Sequence, residues 1–143
     1  MRIFLTMETI DNFFVANFTS IALYRSGNAT GPRLNQVRIP PREGTIDIEI
    51  YEKEINGKKM IYVDSTSGGI STFDAPLPSQ NKKVRWWKIP AGTLIPHGLD
   101  ITKDHIIEAI SITHYTIKPS NDMSLTEYKK LLGILAQKAL PIF

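Results

Sequence analysis

The stretch TIDIEIYEKEINGKKMIYVDS, residues 45–65, constrains this chain more than any other. Ile46, Ile48 and Ile50 alternate with Asp47 and Glu49, the period-two pattern of a half-buried strand. Asn56-Gly57 then supplies the two residues that tolerate positive φ in a tight hairpin turn, and Met60–Val63 makes the return strand.

Other segments extend the β reading. SIALYRS, Ser20–Ser26, suits a short strand ending in a turn at Gly27-Asn28. Residues 27–44, rich in glycine and proline, form a long loop, and loops of that length are often functional. Ile70–Phe73 and Trp86–Ile89 read as strands, while Pro90 and Pro96 forbid a central strand after them. HIIEAISITHYTIKP is ambiguous: a helical turn over Lys103–Glu108 passing into a strand from about Ala109.

The C-terminal segment is helical. Ser124 and Glu127 form an S-x-x-E capping box. Leu125, Tyr128, Leu131, Leu132, Leu135 and Ala139 keep helical spacing, and Pro141 marks the stop. At 143 residues the chain fits one domain, residues 1–143, of α+β class, with mostly antiparallel strands and helices at the two ends.

Composition excludes several chemistries. There is no cysteine, so disulfides, thiolate metal sites and cysteine nucleophiles are ruled out. Three scattered histidines, His97, His105 and His114, do not make a zinc site, so no metal is expected. No apolar run spans a membrane. Glu8 and Asp11 interrupt the N-terminal apolar run, which argues against a cleaved signal peptide; an exported form would use a route that reads none. A net charge of +3 is a mild basic bias. NKKVRWWK, residues 81–88, interleaves Lys82, Lys83 and Arg85 with Trp86 and Trp87 as a single-strand binder would. A charged loop entering a strand explains it better, and nucleic acid is the disfavoured partner.

ITHYTIKP, Ile112–Pro119, sets His114 and Tyr115 side by side, and strand alternation turns them to opposite faces. The longer segment that holds them, IPAGTLIPHGLDITKDHIIEAISITHYTIKP, resembles the exported effector two family of small type VI secretion toxins. That family carries I-P-x-G-T-x-I-P-x-x-L and then H-Y-T-I-x-P. LYR, Leu23–Arg25, resembles its first core strand, and GGISTFD, Gly68–Asp74, its G-G-T-S-x-F-D segment. The pieces fall in the family's order. One departure is Ile70, which stands where the family has threonine.

The resemblance implies an ADP-ribosyltransferase-like split sheet with flanking helices, NAD as substrate, and a toxin that arrests growth from the cytoplasm. It also implies a cognate immunity protein, a macromolecular acceptor and delivery by type VI secretion. Transfer from NAD passes through an oxocarbenium-like transition state, which demands charge stabilisation and a grip on the ribose. Arg25, Ser71 and His114 are the expected catalytic set: Arg25 for phosphate or ribose oxygens, Ser71 for a hydroxyl contact, His114 for the ribose hydroxyls. Tyr24, Thr72, Phe73 and Tyr115 complete the expected cofactor-binding set, with Phe73 and Tyr115 also read as core aromatics. Arginine-modifying transferases use a Glu-x-Glu pair that is missing beside these strands; Glu108 is the nearest carboxylate in sequence. NAD hydrolysis, a nuclease-type toxin on the same scaffold and a non-enzymatic binding protein stand as alternatives.

Overall fold

The computed structural model describes residues 4–8, 15–78 and 83–143. Asn81 and Lys82 of the basic stretch, and most of the N-terminal apolar run, lie outside them.

Eleven strands and one helix are described: β1 (Phe4–Glu8), β2 (Val15–Thr19), β3 (Leu23–Gly27), β4 (Ile50–Ile55), β5 (Lys58–Val63), β6 (Ile70–Phe73), β7 (Arg85–Ile89), β8 (Leu99–Ile107), β9 (Ile112–Pro119), β10 (Met123–Ser124), α1 (Leu125–Ala136) and β11 (Leu140–Pro141). Every pairing is antiparallel. The main sheet runs β11-β7-β3-β6-β9-β8, a smaller one β10-β5-β4, and β1 pairs with β2 alone.

The hairpin forms as its residues dictate. Asn56 (φ 51°) and Gly57 (φ 78°) are both left-handed, and Ile55 faces Lys58 across a two-residue turn. Its first strand starts at Ile50, not Ile46. Asp47 is diverted: its side chain takes Arg38 Nη2 at 2.8 Å and the Arg38 amide at 2.8 Å, and its own amide donates to the Arg38 carbonyl, so the chain at Asp47 pairs with the preceding loop instead of the ladder.

Between Lys103 and Glu108 the expected helical turn is absent. β8 continues to Ile107, and only Glu108–Ile110 makes a 3₁₀ turn. Cross-strand pairing with β9 decides a segment whose local signal is undecided. The N-terminal segment is paired strand rather than helix where it is described, so α1 is the one α-helix among the described residues. The Glu127 amide donates to the Ser124 side chain at 3.1 Å and starts α1 as the capping box predicts. α1 ends at Ala136, short of the expected Ala139 and of Pro141, which lies instead in β11 at the sheet edge, where a missing N–H is tolerated.

One face of the main sheet (Leu23, Ile70, Ile89, Ile101, Tyr115, Ile117) packs with Tyr128, Leu131, Leu132 and Leu135 of α1, and with Leu34, Ile48 and Val63. Tyr128 is fully buried, and its hydroxyl donates to the Ile117 carbonyl at 2.7 Å. We call this the inner face. Gly69 makes the fit possible, since a Cβ there would meet the Ile117 carbonyl oxygen at 2.3 Å.

Candidate active site

The outer face of the main sheet is set by register. Ser71 opposes Thr116, Phe73 opposes His114, and Tyr24 opposes Phe73, so all five side chains lie on one side. Ser71 Oγ and His114 Nε2 are 2.9 Å apart. The Phe73 ring stands edge-on to His114 with centroids 5.3 Å apart, and Trp86 stands edge-on to Phe73 at 6.2 Å. The result is an imidazole–hydroxyl pair beside aromatic surface.

His114 meets a carboxylate on its other nitrogen. Its Nδ1 lies 2.8 Å from Asp104 Oδ2. The contact is off the line of a well-aligned hydrogen bond, so it is first an electrostatic one. Asp104 sits in an irregularity of β8: Lys103 pairs with Tyr115 and His105 with His114, leaving Asp104 as the extra residue. Such a bulge breaks alternation and re-aims side chains. Asp104 and His105 therefore both address His114, with the two imidazole rings stacked at 5.1 Å and 24°.

Arg25 is on the inner face. Its Nη1 donates to the Ser71 carbonyl at 2.9 Å, and its Nη2 reaches the Arg33 carbonyl at 3.5 Å. Burial lowers its pKa, with the nearby Asp47 charge working the other way. Its guanidinium borders a cavity of about 610 Å³ that Arg33, Arg38, Arg42 and Lys129 also line. Four arginines and a lysine make this an anion-attracting hollow.

The expected site residues thus divide. Ser71, His114, Phe73 and Tyr24 come together on the outer face. Arg25 does not join them; it touches Ser71 only through the main chain, from behind. Thr72 and Tyr115, expected at the cofactor, are turned inward by alternation. Thr72 is fully buried with its hydroxyl donating to the Tyr115 carbonyl at 3.2 Å, and Tyr115 is 5% exposed. Neither offers a surface to a ligand. Glu108 lies in the 3₁₀ turn at the tip of the β8–β9 hairpin, beyond the Ile107–Ile112 pair and away from His114. The carboxylate beside His114 is Asp104, which sequence reasoning missed because a bulge leaves no mark in K-D-H-I.

Among the described residues no group of three or more His, Asp or Glu is placed to hold a metal ion, and no helix is long and apolar enough to cross a membrane. A family model described as Tse2 ADP-ribosyltransferase toxin matches residues 17–140. No curated protein matches the chain.

Proposed function

The chain belongs to the Tse2 ADP-ribosyltransferase toxin family, and from that premise we propose that NAD presents its nicotinamide ribose to the outer face at Ser71 and His114. The carrying observation is the 2.9 Å Ser71–His114 pair flanked by the Phe73 ring. A hydroxyl and an imidazole supply both donor and acceptor for the ribose hydroxyls, which must be held while charge develops on the sugar. Phe73 and Tyr24 offer flat surface to the nicotinamide ring.

In the reaction the C1′–N bond breaks and its electron pair leaves with nicotinamide. The acceptor nucleophile then forms the new bond to C1′ and loses its proton. A macromolecular acceptor gives transfer; water gives NAD hydrolysis. Arg25 serves this centre from behind, holding the Ser71 carbonyl, so we give it a bracing role in place of the ligand contact expected from sequence. The reading extends to growth arrest from the cytoplasm after type VI delivery, relieved by a cognate immunity protein. The arginine-lined cavity supports an acidic partner of that kind.

The test is incubation of the purified protein with NAD labelled in both the nicotinamide and adenine halves, together with a lysate. Free nicotinamide with adenine label on a macromolecule is expected, and Ser71→Ala or His114→Ala should abolish both. Release of no nicotinamide overturns the reading.

A further inference from the structure

We propose that Asp104 is a positioning residue that fixes His114 as its Nδ1–H tautomer and so decides which way the Ser71 hydroxyl points. The tautomer claim stands on geometry alone; its catalytic consequence rests on the function proposed above.

Proton bookkeeping leads there. Thr102 Oγ1 donates to Asp104 Oδ1 at 3.1 Å, and Thr116 Oγ1 donates to Oδ2. An ionised carboxylate only accepts, and these two hydroxyls hold it as an acceptor. His114 Nδ1 lies 2.8 Å from the same Oδ2. At that distance the carboxylate repels a nitrogen carrying a bare lone pair and attracts an N–H even off the hydrogen-bond line, so the proton belongs on Nδ1. In neutral His114 the Nε2 atom is then an acceptor, and its partner at 2.9 Å is Ser71 Oγ. The Ser71 hydroxyl must donate inward to Nε2. Its oxygen lone pairs are left to receive a donor, as a ribose hydroxyl is. With the other tautomer, Nε2–H would donate to Ser71 and the serine hydrogen would point outward, so the site would meet a ribose hydroxyl as a donor instead of as an acceptor.

The construction of β8 supports the assignment. Regular alternation would place only one of two consecutive residues on the His114 face. The bulge places both, one against Nδ1 and one stacked on the ring, so the imidazole is held in orientation as well as in protonation. A carboxylate beside the second ring nitrogen commonly selects a histidine tautomer.

Nitrogen-15 NMR of histidine-labelled protein at a pH where His114 is neutral reads the tautomer directly, with His114→Gln identifying the signal. The wild type should carry the proton on Nδ1. In Asp104→Asn the side-chain amide can donate to Nδ1, and the proton should move to Nε2. In nicotinamide-release kinetics the same variant should lose about 10²-fold in kcat, within the range that general acid–base and hydrogen-bond partners contribute. Its KM for NAD should change less than about twofold, and Asp104→Glu should recover part of kcat. A wild-type His114 protonated on Nε2, a tautomer unmoved in Asp104→Asn, or an unchanged kcat in that variant each overturns the proposal. If the wild type releases no nicotinamide, the proposed function fails while the NMR arm still decides the tautomer.

Discussion

Arg25 and His114 meet at Ser71 from opposite faces of the main sheet. The guanidinium takes the serine carbonyl at 2.9 Å from within, and the imidazole pairs with the serine hydroxyl at 2.9 Å from without. One residue is thereby fixed at backbone and side chain by two different layers of the molecule. The expected catalytic set of Arg25, Ser71 and His114 is thus divided between two faces of the sheet.

Stability and activity should part company at this junction. Ser71→Ala removes a hydroxyl from the outer face and is expected to lose growth arrest with little change in denaturant midpoint. Arg25→Ala strips the Ser71 carbonyl of a charged donor, which costs about 1.5–3 kcal/mol, and should lose stability and growth arrest together. Arg25→Lys keeps the charge but not the planar fork, and should resemble Arg25→Ala. Urea unfolding beside an expression-toxicity assay checks both; an Arg25→Ala protein as stable as the wild type contradicts the bracing role.

Asp47 supplies a second test away from the site. Its side chain is 2% exposed and rests on Arg38, whose own side chain is 39% exposed. Breaking a buried pair costs about 3–5 kcal/mol, and the half-open arginine brings Arg38→Ala below that range, to about 2–3 kcal/mol. Asp47→Asn in the Arg38→Ala background should restore part of the loss, because an amide needs no countercharge. Thermal melts of the single and double variants measure it.

The hairpin is tied to the loop before α1 by Tyr51, whose hydroxyl donates to Asp122 Oδ2 at 2.6 Å, while the Ser65 amide and hydroxyl donate to Oδ1 at 2.9 and 2.7 Å. Tyr51 first, then Ser65, pushes the Asp122 carboxyl down to about 2; that same bond, with Asp122 as acceptor, pushes Tyr51 up to about 12. The depressed carboxyl contributes stability that is full above its ordinary pKa of about 4 and is lost as pH falls towards 2. The raised tyrosine contributes stability that is full below about 10 and is lost as pH climbs towards 12. A Tyr51→Phe protein should therefore trail the wild type in melting temperature by a constant margin between about pH 5 and 9, narrowing at both extremes.

Gly69 tests the packing of β6 on β9. A Cβ there falls 2.3 Å from the Ile117 carbonyl oxygen and 2.9 Å from its carbon, both backbone atoms that cannot swing aside. Gly69→Ala should destabilise by about 1–3 kcal/mol, the usual cost of forcing extra volume into a packed interior. It should also disturb Ser71, two residues further on in β6. Circular dichroism melts report the first effect and nicotinamide release the second.

Much of this molecule can be read from its letters where local rules and tertiary contacts agree. Asn56-Gly57 turns the hairpin because only such residues accept two positive φ angles in succession. Ser124 caps α1, and the alternation of His114 with Tyr115 separates an outer from an inner side chain. The failures share a cause: long-range contacts override local pattern. Ile46 and Ile48 alternate like strand residues, yet Arg38, nine positions before Asp47, captures that segment. Lys103–Glu108 is undecided until β9 lies beside it. Arg25 and His114 fit one cleft on paper because the side of the sheet each occupies depends on pairings between distant strands. Asp104 stayed hidden because its position depends on one unpaired residue in a ladder.

That unpaired residue reaches beyond the histidine it serves. β8 is the last strand of the main sheet, with an open edge among the described residues, and long regular edges recruit strands from other molecules. A kink at Asp104, followed by the imidazole of His105, spoils the edge as a template for a foreign strand. A form of this protein straightened by deleting Asp104 would pose two hazards at once: a misaligned histidine, and an edge inviting self-association when the chain is made in quantity.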